Sequence, residues 1–195
     1  MSTTTKTPYV AVLPVAQRLL AALAPYCERI ELAGSIRRQK PLVGDIELVA
    51  IPRRPRDLLG EPIPGPTALD RFLDERAVQF TKRGEKYQQF AYGSYTVDLF
   101  LATPDTWGSI FTIRTGSADF SHWLVTHEPR GACPWPVRFG GEGAYPGRLT
   151  HNGRLLATPE ERDVFAALGL AYIDPAERHG PLSDPGRIDP VWNYA

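Results

Sequence analysis

Proline and glycine punctuation constrains this chain more than any other feature. The 195 residues include 19 Pro and 17 Gly, and they are bunched. Residues 52–66 hold five prolines, three arginines (Arg53, Arg54, Arg56) and no periodicity. Residues 129–148 are again rich in Gly and Pro. Neither block can lie inside a helix or a central strand, because proline lacks the N–H that both need. Structure must therefore come from short elements on either side of these blocks. A hydrophobic content of 43% with 10% aromatics is enough to bury a sizeable core, which excludes wholesale disorder.

Several function classes fall away on composition. Cys27 and Cys133 are the only cysteines and cannot make a disulfide scaffold, so the chain reads as intracellular, with a cytoplasmic location expected. No 18-residue apolar run exists, so no membrane span is expected. Met1 to Lys6 carries no hydrophobic signal core. With 22 basic against 22 acidic residues, a tail-driven nucleic-acid binder is disfavoured, although a local basic groove is compatible. The basic residues are 18 Arg and 4 Lys. Arginine favours forked contacts to carboxylate or phosphate, and a GC-rich genome gives the same bias.

Helical spacing places Val10, Leu13, Leu20 and Leu23 near one face of an opening helix. Arg29–Ala33 alternates like a short strand, Gly34-Ser35 breaks it, and Ser35 is placed to cap a turn at Ile36-Arg37-Arg38. Asp45–Ile51 is a second strand. Thr67 to Asp70 starts a helix, and Lys82–Tyr92 and Tyr95–Ala102 are strands joined at Gly93-Ser94. Thr103-Pro104 opens a helix that ends before Gly116, and Ser117 begins another. Asn152-Gly153 between apolar flanks is a hairpin turn, and Thr158-Pro159-Glu160-Glu161 is a capping box on a helix that Gly169 ends. The tail after Gly180 is turn-rich and expected to be loosely held. The sum is an α+β fold with a small mixed β-sheet flanked by helices and a small C-terminal α/β lobe.

Period-two alternation directs Asp45 and Glu47 to one face of their strand. Asp98 sits among apolar neighbours in another strand, where a lone carboxylate is out of place. Three acids on one sheet face repel one another unless cations neutralise them. An all-oxygen set of this kind suits Mg²⁺ or Mn²⁺, and two ions about 4 Å apart can activate a hydroxyl and hold a leaving phosphate in line. An outward polar stripe on a half-exposed sheet explains Asp45 and Glu47 equally well. The upstream Gly34-Ser35-Ile36-Arg37-Arg38 favours the metal reading: a glycine admits close backbone approach, free N–H groups and a hydroxyl bind phosphate, and arginines fork onto its oxygens.

Ala33-Gly34-Ser35-Ile36-Arg37-Arg38 followed by Gly44-Asp45-Ile46-Glu47 resembles the nucleotidyltransferase motif of the family X DNA polymerases, the group of DNA polymerase beta. Val97-Asp98-Leu99 looks like that family's third-carboxylate strand. Thr115-Gly116-Ser117-Ala118-Asp119-Phe120 resembles its turn beneath the incoming nucleotide, and Glu161–Phe165 through Leu168–Arg178 resembles its C-terminal lobe. The resemblance implies a nucleotidyltransferase palm at residues 8–115, a nucleotide-binding lobe at 116–180 and a tail at 181–195. It implies that Asp45, Glu47 and Asp98 hold two divalent ions, with Asp98 nearest the attacking 3′-hydroxyl. Gly34, Ser35, Arg38 and Gly44 would cradle the triphosphate. Thr115, Gly116 and Ser117 would line the nucleotide, with Gly116 admitting the sugar.

By the same resemblance the substrates are a nucleoside triphosphate and a DNA primer/template or gapped DNA, as in repair synthesis. Glu47 stands where the family usually has Asp. Ile113-Arg114 replaces a Tyr-Phe pair near the sugar 2′-position, Ser121 replaces an Asn, and Val125 an Arg. The sequence starts at the palm, without the lyase and helix-hairpin-helix domains, so a partner protein that supplies DNA grip is an expectation. The alternative is the same centre working without a template or on a non-DNA acceptor: an RNA end, a protein or a small molecule. A non-catalytic nucleotide- or DNA-binding relic has no need of all three acids.

His122, His127, Cys133 and His151 fit no common zinc spacing and are expected in ordinary polar roles. Trp107, Phe111, Trp123 and Phe165 are expected in the core. Trp135–Arg148, with Arg138, Phe139, Tyr145 and Arg148, is either a basic-aromatic grip for single-stranded nucleic acid or an irregular surface loop.

Overall fold

A computed structural model describes residues 6–140 and 148–194; Tyr145 of the expected grip lies outside them. Backbone contacts divide the chain into two compact units. The first is residues 1–36 and 40–102, and the second is residues 37–39 and 103–195.

The first unit runs β1 (Thr7–Pro8), α1 (Tyr9–Leu23), β2 (Cys27–Leu32), α2 (Gly34–Arg37, its last residue counted with the second unit), β3 (Leu42–Val43), β4 (Ile46–Pro52), α3 (Ala68–Glu75), β5 (Phe80–Arg83), β6 (Tyr87–Tyr92) and β7 (Tyr95–Leu101). Five strands form one sheet in the order β2-β4-β7-β6-β5, with β4 and β7 parallel and the other pairs antiparallel. Ile46, Leu48, Ala50, Val97 and Leu99 point to one face, where Val12, Ala16, Leu19 and Leu23 of α1 and Leu69, Phe72 and Leu73 of α3 complete the core. Thr67 caps α3, accepting from the Asp70 N–H while Asp70 accepts from the Thr67 N–H. The single strand expected over Lys82–Tyr92 is instead an antiparallel hairpin of β5 and β6, turned at Gly84–Lys86. Tyr9–Tyr26 is long and apolar enough to cross a bilayer by length and composition (mean hydropathy 1.3), which corrects the expectation that no such stretch exists. Its buried residues recur at i, i+4, i+7 and i+11, the stripe of a core helix.

The second unit contains α4 (Trp107–Thr115), α5 (Ala118–Val125), β8 (Val137–Phe139), β9 (Leu149–His151), β10 (Arg154–Leu156) and α6 (Glu161–Ala167). The order β10-β9-β8 is antiparallel throughout. Asn152 and Gly153 both have positive φ (51° and 76°), the type I′ signature that the Asn-Gly pair predicts. Ser117 caps α5, accepting from the Phe120 N–H. The cap of α6 is Glu160, reciprocated by Asp163, rather than Thr158. The Thr158 hydroxyl instead donates to the Asp105 carbonyl at 3.0 Å. Phe120, Trp123, Cys133, Leu149, Phe165 and Leu168 form the core of this unit.

The tail is not loosely held. Ile188 N–H donates to the Gly169 carbonyl, Val191 N–H to Ala166, and the Asn193 carbonyl accepts from Ala157 N–H, each near 3 Å. Trp192 stacks on His151 at 3.9 Å, and the Tyr194 hydroxyl meets His151 Nδ1 at 2.7 Å. Truncation after Gly186 removes these three backbone bonds and the stack, at about 1 kcal/mol per hydrogen bond. The expected loss is about 2–3 kcal/mol, read from the urea midpoint.

Candidate active site

Glu47 and Asp98 are direct register partners on the parallel strands β4 and β7. Neighbouring strands lie about 4.8 Å apart, and the alternation that buries Ile46, Leu48, Val97 and Leu99 directs both acids to the opposite face. Asp45 sits one residue before β4, after Gly44, with the same parity as Glu47. Antiparallel β6 adds Gln89 opposite Asp98. Gln89 Nε2 donates to Asp98 Oδ1 at 2.8 Å, and the Tyr87 hydroxyl donates to the same oxygen at 2.5 Å. These two residues were not singled out in the sequence, yet their period-two spacing on one strand is a readable signal. Together they restrict the rotation of the Asp98 carboxylate.

Gly34 stands against Glu47. Its φ is +57°, and a β-carbon there would overlap the Glu47 carboxylate. Both facts demand glycine. Gly34→Ala should lower stability by about 1–2 kcal/mol from the left-handed backbone alone and displace Glu47. Thermal melts check this. Ser35 Oγ, next along, is buried with no hydrogen-bond partner, so it does not cap the turn as expected.

Among the described residues, no three His, Cys, Asp or Glu side chains stand close enough to hold a metal ion. The three acids form an array on one face of the sheet rather than a closed cage. Their donor chemistry fits Mg²⁺ or Mn²⁺: all ligand atoms are carboxylate oxygen, and Glu47 and Asp98 already share one register position. The histidines offer nothing comparable. His127 stacks on Trp135 at 3.7 Å and His151 on Trp192. Burial pushes both cysteine thiols up to about 12, which removes them as ready thiolates.

Of the other expected nucleotide-binding residues, Gly44 precedes Asp45 in the first unit, and Arg38, Thr115, Gly116 and Ser117 lie in the second. Arg37 does not offer its fork to phosphate. Its Nη1 and Nη2 bind the two Glu161 carboxylate oxygens at 2.8 and 2.6 Å, Nη1 also reaches Thr115 Oγ1 at 2.8 Å, and the guanidinium lies 3.8 Å from the Phe111 ring centre. Arg38 Nη1 donates to the Thr115 carbonyl. A β-carbon on Gly116 would meet Phe120 and Ser121 Oγ, so helix packing alone explains that glycine. Ser117 Oγ accepts from Phe120 N–H and donates to the His179 carbonyl at 2.6 Å. Ser121 Oγ donates to the Ile113 carbonyl.

Glu161 is the hub that sequence reading missed. Beyond Arg37, it takes Arg178 Nη1 at 2.5 Å, the Tyr172 hydroxyl at 3.2 Å and the Thr112 hydroxyl at 3.3 Å. Arg178 is fully buried, and its Nε and Nη2 bind the Ile173 carbonyl. Burial acts to raise the Glu161 pKa, but the hydrogen bonds and charges of Arg37 and Arg178 outweigh it and hold the carboxyl below its ordinary value. The unfolded chain thus takes up this proton at higher pH than the folded one. The stabilisation is present above the unfolded value, about 4.3, and is lost as pH falls through the folded value. Urea midpoints should fall below about pH 4, and that component should vanish in Glu161→Gln.

The α+β architecture is consistent with a nucleotidyltransferase-like fold, and the acidic sheet face is the part of it able to carry chemistry. The family model for the DNA polymerase beta thumb matches residues 138–179, about a fifth of the chain. That segment includes β9, β10, α6, Glu161, Tyr172 and Arg178. The match supports, at a coarse level, a relationship to the family X DNA polymerases and with it DNA binding. Comparison with curated proteins finds no match.

Proposed function

We propose that the chain is a reduced family X DNA polymerase that adds nucleotides from deoxynucleoside triphosphates to a DNA 3′-hydroxyl. The observation that carries this reading is the register pair Glu47 and Asp98, with Gly34 packed on Glu47, in a chain whose C-terminal segment matches the polymerase beta thumb. Asp45, Glu47 and Asp98 would hold two divalent cations. Bound there, Mg²⁺ or Mn²⁺ would neutralise the acids and the triphosphate and lower the pKa of the attacking hydroxyl. Asp98 would orient the 3′-hydroxyl, and Tyr87 and Gln89 would keep that carboxylate aimed. Gly34 and Ser35, whose hydroxyl is buried without a partner, would offer backbone N–H and O–H groups to phosphate.

Primer extension with Mg²⁺ or Mn²⁺ tests the reading, comparing single-stranded, recessed and gapped DNA with each nucleotide offered alone. Addition of only the complementary nucleotide, with gaps preferred, upholds it. Addition regardless of template, or none, transfers the centre to an untemplated or non-DNA acceptor. DNA affinity should also fall with salt where arginines replace counterions on phosphates; a flat response contradicts nucleic acid as the acceptor.

A further inference from the structure

Asp98 meets its partners on one side only. The Tyr87 hydroxyl, at 2.5 Å, and Gln89 Nε2, at 2.8 Å, both donate to Oδ1. Each oxygen of an ionised carboxylate has about two lone pairs to offer. Two donors therefore use up Oδ1 and leave the ligating role to Oδ2. Three adjacent strands build this clamp. In register, Gln89 of β6 lies between Asp98 of β7 and Lys82 of β5, and Tyr87 lies opposite Phe100. The Tyr87 ring stacks on Phe100, with centroids 5.1 Å apart and planes 26° from parallel, and the Lys82 ammonium stands 5.6 Å from its centre. A ring held on both sides in this way keeps its hydroxyl on Oδ1. All three polar residues are half-buried, where water competes less for the two bonds.

Divalent ions differ in what they require of a carboxylate. Ca²⁺ takes about 6–8 oxygens in a flexible shell and often draws two from one carboxylate, whereas Mg²⁺ demands a near-ideal octahedron at about 2.1 Å. Mn²⁺ shares the octahedral preference for oxygen. A carboxylate with one oxygen already saturated can give a cation one ligand atom and no more. Resting on the metal-binding reading of Asp98, we infer that Tyr87 and Gln89 decide which divalent ion the centre takes. By confining Asp98 to Oδ2 they suit it to Mg²⁺ or Mn²⁺ and deny Ca²⁺ a two-oxygen grip. Both act through Asp98 and are positioning residues. Groups that hold a ligand from behind typically change metal affinity by roughly 10–100-fold when removed.

Binding of Mn²⁺ to the full chain, followed by the electron paramagnetic resonance of the free ion, tests this without any turnover. Mg²⁺ and Ca²⁺ are then titrated in as competitors. In Tyr87→Phe/Gln89→Leu, which keeps side-chain size and the stack on Phe100, the ratio of Ca²⁺ to Mg²⁺ affinity should rise about tenfold. Tyr87→Phe alone returns one lone pair to Oδ1 and should move the ratio less, in the same direction. Should the double variant fail to fold, this single variant decides by the same ratio. Asp98→Asn separates the inference from the reading beneath it, since loss of the acid should release Mn²⁺. If Asp98→Asn binds Mn²⁺ as wild type does, Asp98 is not a ligand, and the metal reading falls together with the inference. If Mn²⁺ binding needs Asp98 and yet the Ca²⁺ to Mg²⁺ ratio is the same in wild type and the clamp variants, the inference alone is overturned.

Discussion

Glu161→Ala is expected to destabilise the second unit by about 3–5 kcal/mol, the range found when one partner of a buried ion pair is removed. The substitution leaves Arg178, fully buried, with the Ile173 carbonyl and the Phe165 and Tyr172 rings, and leaves Arg37 with Thr115 and the Phe111 ring. Replacing the whole triad by apolar residues (Arg37→Met, Glu161→Leu, Arg178→Met) should be less damaging than the single change, because no buried charge is then orphaned. Urea unfolding of the two variants decides the matter. A triad variant less stable than Glu161→Ala would show that the network holds the unit together by specific geometry rather than by mutual neutralisation.

Asp98→Asn is expected to reduce nucleotide transfer by roughly 10³-fold or more, the several kcal/mol of transition-state stabilisation that a metal centre supplies. Asparagine retains an oxygen for Tyr87 and Gln89, which both donate to Oδ1, so the melting temperature should stay close to wild type. Single-turnover extension rates, read beside melting curves, check both halves. Wild-type rates in this variant would remove Asp98 from the centre and with it the two-ion assignment.

Much of the local structure was legible in the residues because it depends on near neighbours. Thr67 with Asp70, Ser117 ahead of Phe120, and Asn152-Gly153 each act within four residues, and each appears as expected. The alternation in Asp45–Ile51 and Val97–Leu99 likewise separates core side chains from the acids without reference to the rest of the chain. Where local signals competed, the reading slipped: Thr158 and Glu160 both precede α6, and the Asp105 carbonyl claims the Thr158 hydroxyl.

What the sequence alone determined is therefore most of the longer elements, though not the β5–β6 hairpin, the face on which each acid lies, and the glycine required ahead of Ser35. Only the tertiary structure decided that β4 and β7 run side by side with Glu47 level with Asp98, because strand register is settled by pairing between segments about fifty residues apart. Only it assigned Arg37 to Glu161, 124 positions away, instead of to phosphate. An arginine fork fits a carboxylate as well as a phosphate, and which one it meets depends on what the fold brings within reach. The tail shows the same limit: its turn-rich composition marks where regular structure stops, while its docking depends on His151 and the end of α6 being there to receive it.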